Sequence, residues 1–188
     1  MKTATSATSG DLIWSGLVNV RPAVCLGLAL LALSCGSTPN APSVTQIAGT
    51  WSGSSRLASI AGEACVAEQL REIVGVTGPI SLVFSQNGST VTETSFRTSP
   101  ECRFTGTVGT STLALRVTSA TCNELVRGFP CRDNAGSRDI GLMERTLSGA
   151  IDGNKMSLTL IQRDNVFIAG TSTLVGVVTT THDITLNR

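Results

Sequence analysis

The sequence predicts an all-β domain, an antiparallel up-and-down meander closed into a small barrel of about eight strands, with one short helix after the first strand. Three observations predict it. From Gln46 onward apolar and polar residues alternate with a period of two, which sends every second side chain to the same face of a strand. Gly, Asn and Asp break that alternation at short intervals, as tight turns between antiparallel neighbours require. Only one segment carries helical spacing.

The first strand covers residues 48–56. Between Ser59 and Gly75, Val66, Leu70, Ile73 and Val74 share one helical face, with Glu63 in the first turn, Arg71 in the last and Gly75 just past the end. The clearest hairpin follows: Ile80, Leu82 and Phe84 lead into Asn87-Gly88, a pair suited to a type I′ turn because both residues tolerate positive φ. That turn sets Phe84 opposite Val91, Leu82 opposite Glu93 and Ile80 opposite Ser95. A second hairpin places Phe104, Gly106 and Val108 on one face with Leu113, Leu115 and Val117, turning at Gly109. A third joins Leu147, Gly149 and Ile151 to Met156, Leu158 and Leu160 through Gly153-Asn154, with Asp152 opposite Lys155. Leu174, Gly176 and Val178 lead to a last turn at His182, and Ile184 and Leu186 lie on the final strand. Pairing of first and last strands removes the open edges, so a closed barrel is expected, with a β-sandwich as the alternative.

Upstream of the domain, residues 1–34 read as an export signal. Arg21 precedes an apolar run from Ala23 to Leu33, and the small residue Ser34 follows. That run is too short for a permanent span, which needs about 20 apolar residues. Leu31-Ala32-Leu33-Ser34-Cys35-Gly36 resembles the bacterial lipobox. The resemblance implies cleavage before Cys35, acylation of that cysteine, and a lipid-anchored protein of the cell envelope, on the outer membrane if the host has one. Residues 35–45, rich in Ser, Thr, Pro, Asn and Gly, form a polar tether, and residues 46–188 the domain.

Of six cysteines, Cys25 leaves with the signal and Cys35 takes the lipid. Cys65, Cys102, Cys122 and Cys131 remain, an even set that reads as two disulfides in an exported domain. Three pairings exist. Cys102 and Cys122 flank the same hairpin, which favours Cys102 with Cys122 and Cys65 with Cys131. A zinc site is not expected, since there is no Cys-x-x-Cys pair and His182 is the only histidine.

The domain opens with Ile47-Ala48-Gly49-Thr50-Trp51-Ser52-Gly53, which resembles the Gly-x-Trp signature of lipocalin-like, or calycin, barrels. The chain is also similar to uncharacterised bacterial lipoproteins that begin near Gly-Thr-Trp and alternate Thr-rich strands. The resemblance implies that Trp51, after Gly49, plugs the closed end of the barrel and that Arg188 packs across its indole. Avidin-like barrels share the opening, but their biotin pocket needs several tryptophans and a tyrosine, whereas this chain has no tyrosine. A small bacterial metalloprotease inhibitor is a third relative in shape.

Composition narrows the function. With 41% hydrophobic and 14% charged residues the chain is not of the disordered class. Setting aside Lys2, Arg21 and Asp11 from 14 basic and 13 acidic residues leaves 12 of each, so there is no electrostatic footprint for nucleic acid. Neither a Gly-x-Ser-x-Gly elbow nor another nucleophile motif accompanies His182, which reads as a solvated turn residue, and the chain is not expected to be an enzyme. No cofactor is expected. Two binding readings remain for a monomer anchored to the membrane. A small apolar ligand could lie among Leu82, Phe84, Phe104 and Leu115, oriented by Glu93, the carboxylate placed on that apolar face; the plainer reading hydrates Glu93 near an open mouth. Alternatively, the domain is a protein-interaction or protease-inhibitor-like module acting through loops. Arg127, Arg132 and Arg138 with Phe129-Pro130 suggest a recognition loop, although Glu124, Asp133 and Asp139 balance their charge and favour a solvated, disulfide-tied one.

Overall fold

The computed structural model describes residues 43–96, 99–131 and 136–188; the signal segment, Cys35, most of the tether, Arg132 and Asp133 lie outside the described residues. Along the chain run β1 (Gly49–Gly62), α1 (Ala64–Arg71), β2 (Thr77–Asn87), β3 (Thr90–Glu93), β4 (Thr105–Val108), β5 (Thr112–Thr118), β6 (Leu125–Pro130), β7 (Ser137–Asp152), β8 (Lys155–Ile168) and β9 (Leu174–Asn187). All neighbouring strands are antiparallel. Each of β1 to β4 pairs with the next, β5 skips β6 to pair with β7, and β7, β8, β9 and β1 complete a closed ring of eight strands. β6 lies outside the ring against the first part of β7.

The ring closes tightly where glycines stand at inward positions on its strands. A Cβ on Gly53 would lie 1.9 Å from the Thr185 carbonyl oxygen, and one on Gly149 would lie 2.1 Å from that of Ser157. Only glycine lets neighbouring backbones approach so closely, which is how strands bend at a corner. Between the corners Trp51, Leu82, Phe104, Leu113, Leu147, Met156 and Leu186 fill the interior, each under 2% exposed. The cluster continues through the Cys102–Cys122 disulfide.

Beyond the ring β7, β8, β9 and β1 run on, joined by β6, as an open sheet. Helix α1 covers its inner face, where Val66 meets Val166 and Val178 with Ile60, Leu70, Phe129 and Ile140 around them. Glu63 caps the helix: its Oε2 accepts the Val66 N–H at 2.9 Å, while its Oε1 pairs with Arg138 Nε at 3.0 Å. The Cys65–Cys131 disulfide ties the helix to the end of β6.

The second and third hairpins have the expected registers, including Asp152 opposite Lys155. Four expectations are corrected. First, β1 continues to Gly62, because Ile60 and Ala61 pair with β9, and the helix is confined to Ala64–Arg71. Ile73 and Val74 stand 48% and 37% exposed, and Glu63 is the cap itself. Second, the first hairpin turns at Gly88-Ser89, so Phe84 faces Glu93 and Gln86 faces Val91. Third, no turn falls at His182: β9 is one strand, and His182 pairs with Leu57 and Leu160 on the inner face. Fourth, the charged segment after Cys122 forms β6 and the start of β7, with Arg138 and Asp139 largely buried.

Candidate functional site

Trp51, Gly49 and Arg188 meet at the end of the ring where Arg188 N–H reaches the Asn154 carbonyl. Trp51 Nε1 donates to Ile47 O at 2.8 Å, Arg188 Nη2 donates to Ala48 O at 2.7 Å, and the guanidinium carbon lies 5.7 Å from the indole centroid. The indole N–H is satisfied and its ring is covered by a cation. Val44 packs onto the core beside them, and the Thr45 N–H donates to Gly109 O at 3.2 Å. The last residues of the tether are therefore bound to the ring.

Leu82, Phe84, Phe104 and Leu115 all lie inside the ring, within one continuous core of buried side chains. Glu93 is with them at 0% exposure, which overturns its expected hydration. Its Oε1 accepts the backbone N–H groups of Ser95 at 2.7 Å and Phe96 at 2.8 Å, and the Ser95 hydroxyl at 2.5 Å. The carboxylate thus fastens the chain leaving β3, while Oε2 has no hydrogen-bond partner among the described residues. A second buried polar group sits where the ring gives way to the open sheet. Arg145 Nε donates to Gln162 Oε1 at 2.8 Å, its Nη2 pairs with Glu124 at 2.6 Å, and Gln162 Nε2 reaches Asp164 at 2.5 Å. Burial pushes the His182 imidazole below its ordinary pKa of 6.5, with Asp183 opposing that shift.

The open space lies elsewhere. A cleft of about 410 Å³ is cut into the outer face of the open sheet. Gly141 on β7 forms its floor, and a Cβ there would lie 3.4 Å from the Phe167 ring and 3.6 Å from Leu125 Cδ1. Leu125 and Arg127 line the β6 side, Asn165 and Phe167 the β8 side, and Thr171 and Ser172 in the β8–β9 turn close one end. Asp139 braces this frame. Its Oδ1 accepts the Gly128 N–H at 2.9 Å and its Oδ2 the Gly170 N–H at 3.0 Å, joining the β6 bulge to the β8–β9 turn. Those amides, first Gly128 and then Gly170, hold the carboxyl below its ordinary pKa of 3.8 against the cost of burial, and Arg127 adds the smallest part of the shift.

A tight trio of candidate metal ligands among the described residues is Cys102, Cys122 and Glu124. The two sulfurs are joined as a disulfide, so neither is a thiolate able to bind a cation. Sequence reasoning named Arg127 and Asp139 but missed Gly141, Asn165 and Phe167, whose grouping depends on the pairing of β7 with β8. Compared with known proteins, the chain has no significant match to any protein-family model, curated protein or solved structure.

Proposed function

We propose that this chain is an exported, lipid-anchored envelope protein without enzymatic activity, a lipocalin-like barrel that serves as a scaffold for a protein-binding cleft over Gly141. One observation carries the reading: the residues expected to line a ligand cavity are buried in a continuous core, whereas the cleft stands open on the outer face. Small barrels are commonly filled by their own side chains, and the bulk of Trp51, Phe104, Leu113 and Met156 inside the ring favours the interaction reading over carriage of a small apolar molecule.

Lipidation at Cys35 would hold the domain within reach of other envelope proteins. The test is photo-crosslinking of the full chain in its own envelope, with a benzophenone side chain at position 127 beside the cleft or at position 185 on the outer wall of the ring. The expected result is a discrete protein adduct from position 127 and none from 185. Equal labelling from both, or none from 127, removes the cleft as the binding site. Mass spectrometry of the same preparation reads the acyl chains on Cys35; their absence removes the anchor.

A further inference from the structure

β6 is the one strand among the described residues with a single neighbour. The Leu142 N–H donates to Glu124 O at 2.9 Å, which makes Glu124 with Leu142, and in the same register Val126 with Ile140, the bonded pairs of the ladder. Leu125, opposite Gly141, occupies the non-bonded position between them. Its N–H and C=O therefore point out of the sheet edge, away from β7. Its side chain is 42% exposed and forms the rim of the cleft. Arg127 stands at the same rim, exposed, while the carboxylates nearby are engaged: Asp139 by two backbone amides and Glu124 by Arg145.

Resting on the reading of the cleft as a protein-binding site, we infer that the partner enters as an extended segment that adds to β6 as a further strand. It pairs its main chain with the free N–H and C=O of Leu125. An apolar side chain of the segment lies beside Leu125 and roofs the cleft. Residues two apart on a strand share a face, so the side chain that meets Arg127 is two positions from the apolar one, and charge complementarity makes it acidic. The recognised pattern is apolar-x-acidic. The β6 bulge at Arg127-Gly128 and Pro130 limit the free edge to a short stretch, which suits a single docked segment and discourages open-ended sheet growth.

The test uses the full acylated chain in detergent and a bead-bound library of random hexapeptides. Selected beads are expected to be enriched in the apolar-x-acidic pattern. With a selected peptide bound, exchange of the Leu125 amide slows by about tenfold or more, and N-methylation of the peptide residue that pairs with Leu125 abolishes the effect. Arg127→Glu, a surface change, is expected to redirect selection to apolar-x-basic peptides. Strand addition is overturned if no pattern is enriched, if the Leu125 amide is unaffected, or if charge reversal leaves the preference unchanged. If position 127 still forms its adduct in any of those cases, the cleft survives as a binding site and only the mode of entry falls; loss of that adduct overturns both.

Discussion

The ring and the open sheet are built from the same long strands, β7, β8, β9 and β1, yet they are held together differently. In the ring each strand has two neighbours, and a large cluster of apolar side chains fills the interior. In the open sheet three buried valines, one short helix, the Cys65–Cys131 disulfide and the Arg138–Glu63 pair do that work, and the outer face stays bare. Closure supplies stability through burial and spends its whole inner face in doing so. A sheet covered on one face by a helix leaves its other face open, at the cost of needing cross-links. This division of labour explains why the cleft lies beyond the ring.

Leu147→Ala empties a buried site in the ring and is expected to cost about 2–5 kcal/mol; Val66→Ala under the open sheet is expected to cost less, about 1.5–3 kcal/mol. Urea unfolding of both variants checks the order, and equal costs would erase the distinction between the two cores. Next, replacing Cys65 and Cys131 together by serine is expected to remove about 2–4 kcal/mol. The loss should be local, so hydrogen exchange accelerates at α1 while amides of β2 and β5 keep their protection. Uniform acceleration would show that the molecule opens as one unit.

A smaller effect is expected at the plugged end. Arg188→Ala removes the cation over Trp51 and should lower stability by about 0.5–2 kcal/mol, with a change in the tryptophan fluorescence of the folded protein. The smallest concerns protonation. The folded protein holds His182 below its ordinary value of 6.5 by burial, so over the interval beneath that value the unfolded chain binds more protons. This contribution to stability is complete above the unfolded value and is lost as pH falls through the depressed one. Melting temperatures measured from about pH 8 to about pH 5 should fall more steeply for the native chain than for His182→Asn; a steeper fall in the variant would contradict the burial assigned to that imidazole.

The hairpins were legible where local chemistry decides. Glycine-bearing turns with strict alternation on both sides gave β4–β5 and β7–β8 their registers. The first hairpin slipped because its turn answers to distant residues as well. Gln86 Oε1 accepts the Ile47 N–H at 2.7 Å, and its Nε2 donates to the carbonyls of Thr45 at 3.0 Å and Gly88 at 2.8 Å. Those ties accompany a turn one residue later, with Gly88 at φ +59°.

The cleft was hidden by a bulge. Read backward from Leu147 with a period of two, Arg145, Met143, Gly141 and Asp139 would all face inward. The irregularity between Leu142 and Glu144 exchanges the faces, turning Leu142, Ile140 and Arg138 in and Gly141 and Asp139 out. Alternation in a sequence carries no mark of where an extra residue is inserted. The end of β1 escaped recognition for a similar reason, since its register with β9 shifts between Leu57 and Ser59.

The most direct test is a pair of single substitutions compared for both binding and stability. Gly141→Val fills the cleft at a site where a Cβ meets only ordinary van der Waals neighbours, and Leu115→Ala hollows the ring without touching the cleft. The readout is the yield of the position-127 adduct together with Tm. A binding cleft separate from the stabilising ring predicts that Gly141→Val keeps Tm and loses the adduct, whereas Leu115→Ala lowers Tm and keeps the adduct below its melting point. The reverse pattern, with binding lost from the hollowed ring and kept by the filled cleft, would contradict it.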